Sequence, residues 1–394
     1  MIGDNLMMAP TNIPRRQAIP VLYTRGSHYD VGFDMGRTFA SIIKSFLQLC
    51  NPLNESYLPL YNKDEGRKVY NETLESVKKS FPQYIRELEG IADGAQVEFH
   101  KLFLLHMDEI TAICANGTQA VAPVGCSSII VNNEKSRVLA HTEDALAATL
   151  NHFYFVVAHI INDTPQGKHK VKEEHFMSLC YAGHLPGYTM SYNHHGLVFT
   201  INTLSALHLR SGKTPRHFIT RSLLSAENFD QALTILKDEG VGAADGCSFN
   251  MTFINDESRK FYNIEMAPVL EDGTASRLDI KEVCCGSHNC HANRYERLCI
   301  KEANQRQLDS SKSRMNTFAD YPTPHCKADA IKMLSDCSGC EYCVFIENNS
   351  PDEVVKTIAV GVFDINEKTI ALYSDNPCTT KPQCVLPLIL KDYI

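Results

Sequence analysis

Apolar residues recur at helical spacing through the first quarter of the chain. From Asp30 onward Val31, Phe33, Met35, Phe39, Ile42, Ile43, Phe46, Leu47 and Leu49 follow at near-helical steps, the mark of an amphipathic helix. Gly32 and Gly36, four apart on that helix, would let a second backbone approach closely. Further helical stretches are predicted over 66–80, 83–92 and 100–115, with Pro82 suited to a first helical turn. One short strand is predicted over 19–24. Asn116-Gly117 signals a turn, and 120–125 reads as an extended connection. Then the texture changes. Short runs rich in β-branched and aromatic residues predict strands over 127–131, 137–141, 153–161, 177–181, 188–192 and 197–201. Helices over 216–225 and 229–237 precede strands over 248–254 and 260–265. The remainder alternates helix (294–305, 328–334) with strand (356–363, 369–373). Helices first, then strands with helices between, predict a layered α+β architecture.

Composition narrows the function classes. A 394-residue chain with 44% hydrophobic residues can bury a sizeable core. Its net charge of −8, without a basic cluster, excludes nucleic acid as an expected partner. No apolar run approaches the roughly 18 residues of a membrane span, so no membrane partner is expected. Met1 to Pro20 lacks the apolar stretch of a secretory signal, and Lys391 to Ile394 carries no retention or lipidation motif. A cytoplasmic location is expected, where the fifteen cysteines would stay reduced.

Cys337, Cys340 and Cys343 form a C-x-x-C-x-x-C run that could hold a metal, with Cys284, Cys285, Cys290, His288 and His291 as further ligands. Glu347 stands where an iron–sulfur run of the bacterial type would place its fourth cysteine, and the two clusters lie far apart in sequence. The expectation is therefore no metal and no cofactor, with a thiol-rich metal-binding protein as the alternative outside enzymes. Gly183 to Gly187 lacks the Lys and helix start of a phosphate loop, and His194-His195 has no accompanying ligand pattern. The informative place is Gly125-Cys126-Ser127-Ser128, a cysteine that opens a strand where the helical part stops.

Several motifs carry a resemblance. Gly125-Cys126-Ser127-Ser128 is followed by Asp144 in His141-Thr142-Glu143-Asp144, then by 202–209 (Asn-Thr-Leu-Ser-Ala-Leu-His-Leu), Glu265-Met266-Ala267-Pro268 and His291-Ala292-Asn293. In this order the chain resembles the isopenicillin-N acyltransferase-like family of N-terminal nucleophile hydrolases over most of its length. Ala267 and Arg294 depart from the family pattern, and His288-Asn289 offers a second alignment.

The resemblance implies a four-layer αββα sandwich preceded by a helical segment. It implies self-cleavage between Gly125 and Cys126, giving pieces 1–125 and 126–394 that stay together as an αβ heterodimer. Cys126 would then be the nucleophile, with its freed α-amino group as base. Asp144 would orient that amine, and Asn293, or alternatively Asn289, would donate to the oxyanion. Gly125 would leave the attacked carbonyl unshielded and its backbone free to strain. Within the family the likeness is to hydrolases of β-alanyl amides of biogenic amines, which implies a small-molecule β-alanyl amine as substrate and dopamine or histamine as product. An acyltransferase passing its acyl group to an amine is the alternative. Such a substrate needs a carboxylate for its ammonium and aromatic walls for its ring, for which Glu143, Tyr154 and Tyr188 are candidates by location only.

Overall fold

The computed structural model describes residues 15–117, 125–338, 342–347 and 355–390. A first segment holds β1 (Val21–Gly26), α1 (His28–Thr38), α2 (Ala40–Leu49), α3 (Leu58–Tyr61), α4 (Asp64–Ser80), α5 (Pro82–Ala95), α6 (Phe99–Met107) and α7 (Ile110–Asn116). From Gly125 follow β2 (Gly125–Asn132), β3 (Arg137–Leu146), β4 (Phe153–Ile161), β5 (Glu173–Tyr181), β6 (Ser191–Asn193) and β7 (Leu197–Leu204). Helices α8 (Arg216–Leu223) and α9 (Phe229–Lys237) lead to β8 (Gly246–Phe253), β9 (Phe261–Ala267), β10 (Arg277–Val283) and β11 (Ser287–His291). The chain closes with α10 (Gln305–Asp320), α11 (Lys327–Leu334), β12 (Val355–Asp364), β13 (Thr369–Tyr373) and β14 (Cys384–Pro387).

Local chemistry explains several boundaries. Ser27 caps α1 reciprocally, its hydroxyl accepting from the Asp30 N–H while the Asp30 carboxylate accepts from the Ser27 N–H. The helix expected from Asp30 breaks at Phe39, whose ring stacks on Tyr154 at 3.7 Å between centroids. The one expected over 100–115 breaks at Asp108, where φ of +46° turns the carboxylate toward Arg216. Gly32 and Gly36 do admit a second backbone: a Cβ there would lie 2.0 and 2.2 Å from the carbonyl oxygens of Glu87 and Ile91 on α5. Gly90 and Gly94 answer from α5, so the two helices touch backbone to backbone.

Two sheets face each other. One has the order β1-β4-β5-β6-β7-β8-β9-β10, the other β11-β2-β3-β12-β13-β14. Every pairing is antiparallel except β1 with β4, Val21–Gly26 lying alongside Phe155–Ile160. Strands β2 and β7 meet across the interface between the sheets. Helices α1 and α9 cover the outer face of the first sheet, and α10 and α11 cover the second. On β2, Ile129 and Val131 point outward to Met333 and Leu334 of α11, whereas Ile130 joins the core between the sheets. This is the four-layer αββα order. No helix among the described residues is long and apolar enough to cross a membrane.

The first segment is built into the second, since β1 belongs to the sheet of β4. A buried charge network also joins them. His28 Nδ1 lies 2.7 Å from Glu87, both of the first segment, while Arg221 of α8 binds Glu87 and Glu174 of β5. The helix expected over 294–305 does not form. Backbone N–H groups of Glu296, Arg297 and Leu298 all donate to the Glu265 carboxylate, and these residues form bends around it rather than a helix. Helix α10 starts only at Gln305. The expected connection 120–125 lies, apart from Gly125, outside the described residues.

Candidate active site

Every residue of β2 is buried, between β11 and β3 in the plane and helices or sheet on either face. The register sets Gly125 opposite Asp144 and Cys126 opposite Glu143. Alternation then divides the side chains. Cys126 and Ser128 share the face toward the other sheet with Glu143 and His141, while Ser127 and Asp144 face α10.

Asn293 reaches Cys126 directly. Its Oδ1 accepts from the Cys126 N–H at 2.8 Å, and its Nδ2 donates to the Thr203 carbonyl at 3.1 Å. Asn289, four residues earlier on β11, lies opposite Ile130 and makes no hydrogen bond to Cys126. With no helix after it, Asn293 does not serve as a helix cap.

Arg314 on α10 ties the group together. It donates to the Cys126 carbonyl at 2.6 Å, Ser127 Oγ at 2.9 Å and Asn293 Oδ1 at 2.8 Å, and lies 3.9 Å from Asp144 Oδ2. Asp144 is fully buried, not an exposed strand end. Its Oδ1 accepts from Thr357 at 2.6 Å, a residue that a bulge in β12 aims at it, and its Oδ2 accepts no hydrogen bond. Burial pushes its carboxyl up to about 7 against the pull of Arg314. Burial, with Glu143 and Asp144 nearby, raises the Cys126 thiol well above its ordinary value. Near neutral pH the thiol therefore holds its proton. A Cβ at Gly125 would meet Arg314, Asp144 and Asn293 at 3.4–3.6 Å, ordinary contacts. The expectation that this position needs glycine for strain finds no steric support.

Beside Cys126, Glu143 accepts from Tyr181 at 2.7 Å and from the Thr189 hydroxyl, and lies 3.1 Å from His141 Nε2. His141 Nδ1 meets Ser128 Oγ at 2.8 Å. Tyr181 also borders a cavity of about 90 Å³, walled by Phe46, Tyr57, His184, Tyr188 and His217, with the carboxylate of Asp108 at one side. Burial pulls His184 down to about 4 and His217 well below its ordinary value, so both rings stand neutral. Tyr188 thus lines the cavity as its location suggested. Tyr154 does not, being stacked on Phe39 in the core.

Three of the metal-ligand candidates have other contacts. His291 lies 3.3 Å from Glu265, Cys337 Sγ lies 3.5 Å from the carbonyls of Ser335 and Phe345, and Cys343 Sγ lies 3.4 Å from the Cys337 carbonyl. Cys340 lies outside the described residues. Sequence reasoning missed Arg314, Glu143's bonded neighbours Tyr181 and Thr189, and Asp108. Arg314 alone left a trace: Gln307, Ser311, Arg314 and Phe318 recur at helical spacing on the buried face of α10.

Residues 131–379 match the family model described as acyl-coenzyme A:6-aminopenicillanic acid acyl-transferase. Over 381 residues, 96% of this chain and 98% of the relative, the sequence is 64% identical to the beta-alanyl-dopamine/carcinine hydrolase of Drosophila melanogaster. Among solved structures, a mutant of the conjugated bile acid hydrolase from Clostridium perfringens overlaps 63% of this chain and 89% of its own, with a TM-score of 0.36 and 9% identity. A second variant of that hydrolase overlaps equally far, with a TM-score of 0.34 and 9% identity. A model match over more than half the chain and a near-full-length relative agree: the chain belongs to the acyl-coenzyme A:6-aminopenicillanic acid acyl-transferase family.

Proposed function

We propose that this chain is a self-processing cysteine amidohydrolase that cleaves β-alanyl amides of biogenic amines, releasing β-alanine and dopamine or histamine. The observation that carries the reading is 64% identity, sustained over 96% of the chain, to a beta-alanyl-dopamine/carcinine hydrolase. The site supports it with a buried thiol at the start of a strand, contacted through its own N–H by Asn293.

The Cys126 thiol first adds to the Gly125 carbonyl. The Cys126 nitrogen takes the proton and leaves, so that a thioester replaces the peptide bond. That departure frees the α-amino group, and water then hydrolyses the thioester, leaving a Gly125 carboxylate and the free Cys126 thiol. With a reference pKa of about 7.7–8.0, that amine can accept the thiol proton near neutral pH, which the high thiol pKa otherwise prevents. Asn293 Oδ1, already bound to this nitrogen, holds the amine in place. The amide's second N–H, only 3.4 Å from Thr203 Oγ1, is the one to donate to the oxyanion. Asp144 fixes Arg314, and Arg314 fixes Asn293 and the Cys126 carbonyl.

The same sequence of steps acts on substrate: thiolate attack on the β-alanyl carbonyl, departure of the amine, then attack by water. The aromatic walls around Tyr188 and His217 suit a catechol or imidazole ring. The cleaved pieces stay together, because β1 remains in the sheet of β4 and Glu87 remains on Arg221. A cytoplasmic setting fits the free, buried thiols of Cys50, Cys126, Cys180 and Cys247.

The test is a denaturing gel and a product assay on one preparation. Wild type should show pieces of about 14 and 30 kDa, by residue share of 44.1 kDa, with the larger beginning Cys-Ser-Ser-Ile. It should release β-alanine from β-alanyl-dopamine and β-alanyl-histamine, and Cys126→Ala should remain one inactive chain. An active single chain overturns the self-processing, and acyl transfer to an amine faster than to water would make the enzyme a transferase.

A further inference from the structure

Several buried carboxylates sit against cations: Asp144 against Arg314, Glu87 and Glu174 against Arg221, Asp245 against Arg216. Glu109 and Glu143 have no such ion pair among the described residues, and of the two Glu143 is the one beside Cys126. It is 3% exposed, yet no Lys or Arg among the described residues lies within 4.0 Å of it. Its oxygens accept from Tyr181 and Thr189 and meet the His141 imidazole. Leaving a buried carboxylate with hydroxyls and an imidazole is costly unless a cation arrives.

Its position says which cation. A Glu143 carboxylate oxygen, Cys126 Sγ and a His141 ring nitrogen all lie within 4.8 Å of one another. A thiol poised to attack stands about 3–3.5 Å from the carbonyl carbon. In a β-alanyl group two methylenes separate that carbon from the ammonium nitrogen, roughly 4 Å away. A charge-assisted hydrogen bond of about 2.8 Å then closes the circuit from nitrogen to carboxylate. An α-aminoacyl group, one methylene shorter, carries its ammonium too close to the carbonyl to reach as well.

We propose that Glu143 is the specificity residue of the acyl side, binding the terminal ammonium of a β-aminoacyl group. The inference rests on the proposed amidohydrolase reading and adds to it the residue that selects the acyl chain. Tyr181 and Thr189 hold the carboxylate oxygens toward the nucleophile, and the aromatic cavity beyond Tyr181 is left for the amine ring. The alternative, a purely structural carboxylate bracing Tyr181 and Thr189, predicts no dependence on the charge of the acyl group.

The discriminating pair of substrates is β-alanyl-dopamine and butyryl-dopamine, which differ by an ammonium against a methyl. Glu143→Gln keeps the shape and loses the charge. It should lower the ratio of kcat/KM for the charged over the neutral substrate by roughly 10- to 100-fold. Glu143→Asp keeps the charge but withdraws it by one methylene, and should move the preference from β-alanyl toward γ-aminobutyryl-dopamine. Should Glu143→Gln fail to fold or self-cleave, the Asp variant and the wild-type chain-length series carry the test. Equal losses on both substrates, or an unchanged chain-length preference in Glu143→Asp, overturn the assignment and leave the amidohydrolase reading standing. Wild type inactive on both β-alanyl amines overturns that reading, and this inference with it.

Discussion

Replacing Arg314 by Met tests whether the centre of the site is held by a charge or by shape. The change removes the hydrogen bonds to the Cys126 carbonyl at 2.6 Å, Ser127 Oγ at 2.9 Å and Asn293 Oδ1 at 2.8 Å, the longer ones from Nε to Ser310, and the 3.9 Å contact to Asp144. Breaking a buried pair by deleting one partner costs about 3–5 kcal/mol, since the other charge stays buried. Part of that depends on pH. Asp144 titrates at about 7 in the folded protein, above its usual value of 3.8, so its proton is held more tightly folded than unfolded. Wild-type stability therefore falls as pH rises from about 4 toward 7 and levels off beyond. Without the guanidinium the folded pKa rises further, so the fall continues above pH 7. At pH 5.5 Asp144 is protonated in both proteins, and only the lost hydrogen bonds remain, roughly 2 kcal/mol. The gap between wild type and variant should thus widen from about 2 kcal/mol at pH 5.5 to about 3–5 at pH 8.5. Urea unfolding at the two pH values, in a Cys126→Ala background that keeps the chain whole, measures it. Adding Asp144→Asn should recover much of the loss at pH 8.5. An equal gap at both pH values, or no recovery, would refute the account.

Asn293→Ala should lower kcat on β-alanyl-dopamine by at least roughly 10²-fold and slow self-cleavage, while Asn289→Ala costs far less; the reverse order would place the oxyanion donor four residues earlier. Gly125→Ala should leave the fold intact, as its methyl meets only ordinary contacts, so a circular dichroism melt matching wild type is expected. Burial lowers the His28 pKa, but the Glu174 and Glu87 carboxylates outweigh it and the ring titrates above its ordinary value, among Arg221, Tyr84 and Asn162. That stabilisation is complete below about pH 6.5 and lost as pH rises through the folded pKa, so His28→Gln should flatten the decline of stability over that window. A decline of the same size in the variant would assign it to another group.

Much of the scaffold could be read in advance because its signals are local. Phe153–Ile161 and Phe229–Lys237 formed with the bounds their patterns suggested, one through β-branched density and the other through helical spacing. The failures came where a distant group overrode a local pattern. Residues 294–305 have helical periodicity, but Glu265 claims three of their backbone donors. Helix α10 escaped notice for the opposite reason: Gln307, Ser311 and Arg314 are buried polar residues, so its inward stripe does not look apolar. Cys126, Asp144 and Asn293 are singled out through the family resemblance of short motifs, and the fold gathers them around Arg314. Arg314, Tyr181 and Asp108 carry no motif; only the fold brings Arg314 to Cys126, Tyr181 to Glu143 and Asp108 to the cavity beyond.

The parallel pairing of β1 with β4 bears on how the protein could ever be remade. In a single chain, intact at Gly125–Cys126, the strand is tethered, and its addition to the sheet is a first-order event whose likelihood does not depend on concentration. After the proposed cleavage, the same six residues would come from a separate molecule. Unfolding would then release two chains, and recovery would become second-order in protein, so the melting temperature would rise with concentration where that of the uncleaved chain would not. Dissociation would also bare the edge of β4, an apolar template for pairing with the wrong chain. Processing would thus spend the instructions for assembly: a cell could replace a lost enzyme by synthesis, but could hardly renature it.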